Sequence, residues 1–275
     1  MNTKPVILVP TDFTPIGESA TLYAEALAKE LQAEVQLLHI VSSDKELPNA
    51  KLAIDNATAA IQSKHIAIKG IIEKGSIYED IGRVAKETEA KLIIMGTHGD
   101  KGLQKVFGSK ALKVITNSDV PFLIVQRKPM NPQGFKNIVV PLSLEQEVKQ
   151  TLYYTADLAK VYGSKIHILY VNEKDEFFRA KIERNIPAAK DILDEKGFDY
   201  EFVGIEKKNL SKELLQYAQN VNADLIAFIN NHENFATYLG GSFEQSLIAN
   251  DAEIPVLVIN SIMLKSDSMM NHMFR

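Results

Sequence analysis

The 275-residue chain contains no cysteine. That excludes disulfides and thiolate chemistry and fits a reducing compartment. No apolar run approaches the roughly 18 residues that a membrane-spanning helix needs. The amino-terminal stretch MNTKPVILV is too briefly apolar to read as a secretory leader. Basic clusters are missing as well. Lys and Arg number 31 against 35 Asp and Glu, for a net charge of −4, so neither a nucleic acid nor a membrane is expected as partner. A soluble, cytoplasmic protein is the expectation. Catalytic signatures are also lacking. Without Gly-x4-Gly-Lys-Ser/Thr or Gly-x-Gly-x2-Gly, the P-loop and Rossmann readings lose their main support. No Gly-x-Ser-x-Gly elbow favours a serine hydrolase. The six histidines, His39, His65, His98, His167, His232 and His272, form no His-x3-His pair, which leaves a zinc site unsupported. His39 and His167 fall in strand-like runs and read as core or edge residues.

What the chain does contain is a repeat. Its length exceeds the roughly 100–150 residues of a typical domain, and two domains are expected. Ile7-Leu8-Val9-Pro10 aligns with Ile138-Val139-Val140-Pro141 at an offset of 131. Tyr23 then meets Tyr154, Leu27-Ala28-Lys29 meets Leu158-Ala159-Lys160, and Val35-Gln36-Leu37-Leu38 meets Ile166-His167-Ile168-Leu169. Later the offset drifts to 133, where Leu92-Ile93 meets Leu225-Ile226 and Gly108-Ser109 meets Gly241-Ser242. Between the halves, Arg127 to Gly134 holds two prolines and a glycine and reads as a linker. The expected domains are 1–128 and 136–262, with a tail over 263–275.

Each half alternates strand and helix patterns. In the first half, strands are expected over Val6–Val9, Val35–Val41, Ile66–Ile72, Leu92–Met95 and Phe122–Val125. Helices are expected from Ile16 to Leu31, Ala50 to Ile61, Ile77 to Thr88, and around Ala111 to Ile115. Thr14-Pro15 supplies an N-cap and a first-turn proline. Strands apolar on both faces imply a parallel sheet covered by helices on both sides, joined by right-handed crossovers. In such α/β sheets ligands bind beyond the carboxyl ends of the strands, where the strand order reverses.

The stretch Gly96 to Ser109, GTHGDKGLQKVFGS, follows the fourth strand and contains four glycines. It leads into a helical pattern with Ser109 as candidate N-cap. Unpaired N–H groups of a first helical turn favour phosphate oxygens, and glycine lets them approach. Lys110 and Lys113 are candidate neighbouring charges. A plain turn and cap remain the structural alternative. Asp12, after the first strand, suits a ribose diol or an amine; helix entry is its alternative role.

Together, ILVPTDFTP, LLHIV and IIMGTHG…GS…VPFLIV resemble the universal stress protein family over nearly all of the first half, and more weakly over the second. The resemblance implies two tandem doubly wound domains, each with a five-stranded parallel sheet in the order 3-2-1-4-5. It also implies that one subgroup binds ATP through Gly-x2-Gly-x9-Gly-Ser/Thr, so that ATP or another adenine nucleotide is the expected ligand, with Mg2+ as a candidate companion. By position, Pro10, Thr11 and Asp12 would sit near adenine and ribose, and Val41 would meet the base through its backbone. Met95 and Gly96 would border the ribose. His98 and Gly99 would lie near the phosphates, cradled by Gly108, Ser109 and Lys110. Between Gly99 and Gly108 this chain has eight residues rather than nine. The loop would absorb the deletion at Asp100-Lys101-Gly102 or draw the Gly-Ser pair off the phosphates.

The second half departs further. Ser143 replaces Asp12, Ile229 replaces Gly96 and His232 replaces Gly99. A branched Ile would crowd the floor of the site and resist left-handed angles, so no nucleotide is expected there. The family implies an intramolecular pseudo-dimer with Phe122–Val125 and Val256–Ile259 at its seam, covering edges otherwise open to pairing; a homodimer of whole chains is left open. The leading expectation is a nucleotide-binding regulatory protein of the stress response. Its rivals are a slow ATP hydrolase, for which no general base is found, and a nucleotide-free scaffold.

Overall fold

The structure, a computed structural model, describes residues 4–62, 66–97, 114–115, 118–142, 148–206, 209–230 and 243–260. The chain forms two compact units that divide after Met130. In the first, β1 (Val6–Pro10) leads to α1 (Pro15–Leu31), β2 (Glu34–Val41), α2 (Leu47–Gln62), β3 (Ile68–Lys74), α3 (Ile77–Glu87), β4 (Ala90–Gly96) and β5 (Phe122–Val125). All its strand pairs are parallel, and the order is β3-β2-β1-β4-β5. The second unit contains β6 (Asn137–Pro141), α4 (Val148–Tyr162), β7 (Lys165–Val171), α5 (Glu176–Lys196), β8 (Asp199–Ile205), α6 (Leu210–Asn220), β9 (Leu225–Asn230), α7 (Phe243–Ile248) and β10 (Val256–Asn260). Its parallel strands run in the order β8-β7-β6-β9-β10.

The repeat seen in sequence is a repeat of register. Pro10 pairs with Leu38, and Pro141 with Leu169. Leu8 pairs with Ile93, and Val139 with Ile226. The central strands β1 and β6 are buried along Ile7–Val9 and Ile138–Val140. Each such side chain contributes about 1.5–3 kcal/mol of burial, which fixes which strands lie innermost.

Helix α1 begins as its sequence predicts. Thr14 caps it, with Gly17 N donating to Thr14 Oγ1 at 3.3 Å, and Pro15 occupies the first turn. Ile16, Ala20, Tyr23, Ala24, Leu27 and Ala28 form its buried stripe. Its first half is tied toward the linker, since Ser19 Oγ donates to Gln126 O at 2.7 Å and Tyr23 OH to Lys128 O at 3.1 Å. Several boundaries differ from expectation, those of α2 and β3 among them. Helix α2 starts at Leu47 rather than Ala50, because Pro48 fits a first turn whose N–H is unpaired in any case. Strand β3 runs from Ile68 to Lys74 rather than Ile66 to Ile72, because its pairing with β2 continues to Val41. It also exposes Lys69 and Lys74, so it is not apolar on both faces.

Candidate functional site

Strand β1 lies between β2 and β4, and its chain leaves the sheet after Pro10, where the strand order reverses. Both neighbours run on past it. In a parallel strand the N–H and C=O of one residue point to the same side, and successive residues alternate. Leu38 O accepts from Thr11 N at 2.8 Å, toward β1, whereas Val41 O accepts from Gly75 N at 3.0 Å, toward β3. Parity therefore turns the backbone of Ile40 toward the gap that β1 vacates. On the other side, Thr97 N donates to Val125 O at 2.9 Å, toward β5, so the backbone of Gly96 faces the same gap. The expectation for Val41 is corrected here: its carbonyl is engaged by β3, and Ile40 is the residue of β2 whose backbone borders the crevice.

The loop Thr11–Thr14 follows β1 and is built from successive local bonds. Phe13 N donates to Thr11 Oγ1 at 3.1 Å. Thr14 N and Thr14 Oγ1 donate to Asp12 Oδ1 at 3.1 and 2.6 Å. Asp12 thus acts in helix entry through one oxygen, and its Oδ2 has no partner among the described residues. Phe13 is held at φ 59, a left-handed conformation that is costly for a bulky side chain and tends to persist where the surroundings over-determine it. Here the surroundings include His39. Its ring lies 4.7 Å from that of Phe13, and its Nδ1 is 2.7 Å from Thr11 O. A carbonyl only accepts, so Nδ1 carries the proton.

Two glycines let the loop and helix come this close. A Cβ on Gly17 would lie 3.0 Å from both Asp12 Oδ1 and Thr11 Oγ1. One on Gly96 would lie 2.6 Å from Ile16 Cγ2 and 2.6 Å from Ile16 O. Gly96 is a strand residue without left-handed angles. Close approach of α1 to β4, not a left-handed backbone, is what restricts this position to glycine. The exit of β2 is pinned separately. Glu46 accepts from Ser42 Oγ at 2.6 Å, Ser43 Oγ at 2.9 Å and Ser42 N at 3.2 Å. These donors, the Ser42 hydroxyl foremost, hold its carboxyl below the usual range.

Of the residues expected from sequence, Pro10, Thr11, Asp12 and Gly96 come together at this crevice, and Met95 lies beside Gly96 at the end of β4. His98, Gly99, Gly108, Ser109 and Lys110 lie outside the described residues. Phe13, His39 and Gly17 were not anticipated as parts of the site. Glycine three residues after the capping Thr14 was the one signal available. Among the described residues no group of three or more His, Asp or Glu is placed to hold a metal ion. No helix among them is long and apolar enough to cross a membrane.

The second unit repeats the crevice with different lining. Leu142 N donates to Leu169 O at 2.7 Å, as Thr11 N does to Leu38 O. Leu142 and Ile229, at the positions of Thr11 and Gly96, are both buried.

Comparison with known proteins gives the same duplication. The universal stress protein family matches residues 5–126 and again residues 134–260. The chain belongs to the universal stress protein family. Universal stress protein MJ0577 of Methanocaldococcus jannaschii is 29% identical over 153 residues, spanning 44% of this chain and 94% of the relative. Universal stress protein G of Shigella flexneri is 23% identical, spanning 44% of this chain and 97% of the relative. Each of these relatives thus has about the length of one unit. A crystal structure of a universal stress protein from Archaeoglobus fulgidus matches at a TM-score of 0.76 with 18% identity, covering 93% of this chain and 98% of that one. At that identity the likeness speaks for the fold alone: two tandem α/β units of the universal stress type.

Proposed function

We propose that the first unit is an adenine-nucleotide-binding regulatory module, with ATP as its leading ligand. The observation that supports this most directly is the crevice beyond β1, edged by the backbones of Ile40 and Gly96 and carrying the spare Oδ2 of Asp12. Backbone N–H and C=O groups of Ile40 suit the edge of an adenine ring. A carboxylate oxygen suits the two hydroxyls of a ribose, where charge-assisted bonds are worth about 1.5–3 kcal/mol each. The phosphates would then lie toward the stretch that begins at Gly96, whose sequence supplies the glycines that let an anion approach backbone amides. Magnesium would enter with a triphosphate, held chiefly by phosphate oxygens, as that cation commonly is. The second unit is read as nucleotide-free, because Leu142 and Ile229 put apolar side chains where the first unit has Thr11 and bare backbone.

The test is direct. Freshly purified chain is denatured and its supernatant chromatographed, and the emptied protein is titrated calorimetrically with ATP, ADP and AMP. One site per chain, weakened at least tenfold in Asp12→Ala, is expected. A chain that carries no nucleotide and gives no binding heat with any of the three overturns the reading and leaves a scaffold.

A further inference from the structure

His167, in the middle of β7, is 3% exposed. Its Nδ1 stands 2.6 Å from Glu201 Oε1 on β8 and 2.9 Å from the Tyr217 hydroxyl on α6. Tyr217 donates its proton to the same Glu201 oxygen at 2.8 Å. Across the ring, Nε2 is 3.3 Å from Asn137 Oδ1 at the start of β6. A carboxylate accepts only, so Nδ1 is protonated whether the ring is neutral or charged. The titrating proton is therefore the one on Nε2, facing an amide that can turn either its NH2 or its oxygen toward it. Glu201 and Asp199 of β8 and Lys165 of β7 are the charged groups acting on the ring, and Lys165 Nζ is 3.2 Å from Glu201 Oε2. The buried residues that α6 presents beside Tyr217 are Leu210, Leu214 and Ala218, none of them charged. Ahead of β9, Asp224 is occupied by the backbone N–H groups of Lys136 and Asn137.

The repeat provides an internal comparison. His167 pairs with Val139 and Glu201, as Gln36 pairs with Leu8 and Lys69. Gln36 is equally buried, at 6% exposure. It donates to Glu34 Oε1 at 2.7 Å and does not titrate. Val84 of α3 stands where α6 carries Tyr217.

We propose that the His167–Glu201–Tyr217 cluster is an acid-responsive latch, loosening β7, β8 and α6 as pH falls while the first unit, with Gln36 in the same place, does not respond. This stands apart from the nucleotide reading. Burial holds the imidazole below its ordinary value of 6.5, outweighing the adjoining carboxylate. Between that lowered value and 6.5 the folded state binds fewer protons than the unfolded one, so stability is present above this window and is lost as pH falls through it. The Tyr217 hydroxyl chiefly holds Glu201 below the carboxylate range, so Glu201 adds a loss of the same sign at still lower pH. Burial, with the Glu201 carboxylate, pushes the Tyr217 hydroxyl up, and it remains a donor throughout.

Hydrogen exchange on the full chain between about pH 7.5 and 5.5, corrected for intrinsic rates, tests the latch. The opening equilibrium at β7 and β8 is expected to rise severalfold, with one proton setting a ceiling of about tenfold per pH unit. At β2 and β3 it should stay within about twofold. His167→Gln, which copies the first unit, should flatten the response. An equal pH dependence in both units, or an unchanged response in H167Q, overturns the proposal. Should H167Q not fold, an NMR titration of the wild-type imidazole decides. A midpoint below that of a free histidine supports the latch, and one at or above it overturns it.

Discussion

Replacing Gly96 by alanine asks whether the site depends on how closely α1 approaches β4. The added Cβ would lie 2.6 Å from Ile16 Cγ2, 2.6 Å from Ile16 O and 3.0 Å from Ile16 C. Ordinary carbon contacts sit near 3.5–4.0 Å, so relief needs a shift of about 1 Å. Two of the three atoms are backbone, so the first turn of α1 must move as a body. Overpacking of this kind costs about 1–3 kcal/mol. Losing a glycine's unfolded-state freedom offsets about 0.4–1 kcal/mol of that, leaving a net loss of about 1 kcal/mol at mid-range and at most about 2.6 kcal/mol. The control is Gly70→Ala. There the Cβ would meet Ile54 Cγ1 at 3.1 Å, Ile54 Cδ1 at 3.3 Å and Thr58 Cγ2 at 3.3 Å, all side-chain atoms able to give way. Urea unfolding followed by circular dichroism, with exchange of the β1 and β4 amides read separately because the two units need not unfold together, gives the comparison. G96A should be the less stable variant and should bind nucleotide more weakly, because that turn is capped by Thr14, which donates to Asp12. A G96A protein as stable as G70A would refute the argument.

Other substitutions probe the loop and the second unit. Thr14→Ala removes the cap of α1 and should cost about 1 kcal/mol, measurable in the same unfolding assay. His39→Phe keeps a ring beside Phe13 but leaves Thr11 O without its donor. A stability loss of about 1 kcal/mol is expected, together with weaker nucleotide binding by calorimetry. Ile229→Ala should destabilise the second unit by about 2–5 kcal/mol without creating a second nucleotide site, and a stoichiometry rising to two would contradict that.

The repeat, the strand and helix alternation and the Thr14-Pro15 helix start were all legible in the sequence, because they are properties of neighbouring residues. Apolar periodicity states which face a segment buries, and Ile7–Val9 and Ile138–Val140 bury as their patterns require. The family likeness rests on the same local strings. The tertiary structure alone decided which residues edge the crevice. Whether Ile40 or Val41 turns its backbone toward the gap depends on the parity of pairing with β1 and β3, and no string of side chains encodes that parity. The bond between His39 and Thr11 joins residues 28 positions apart, and the left-handed Phe13 packs on the same imidazole. At Gly96 the structure adds a second reason for glycine, the closeness of Ile16, because only the packed helix defines where its missing Cβ would point.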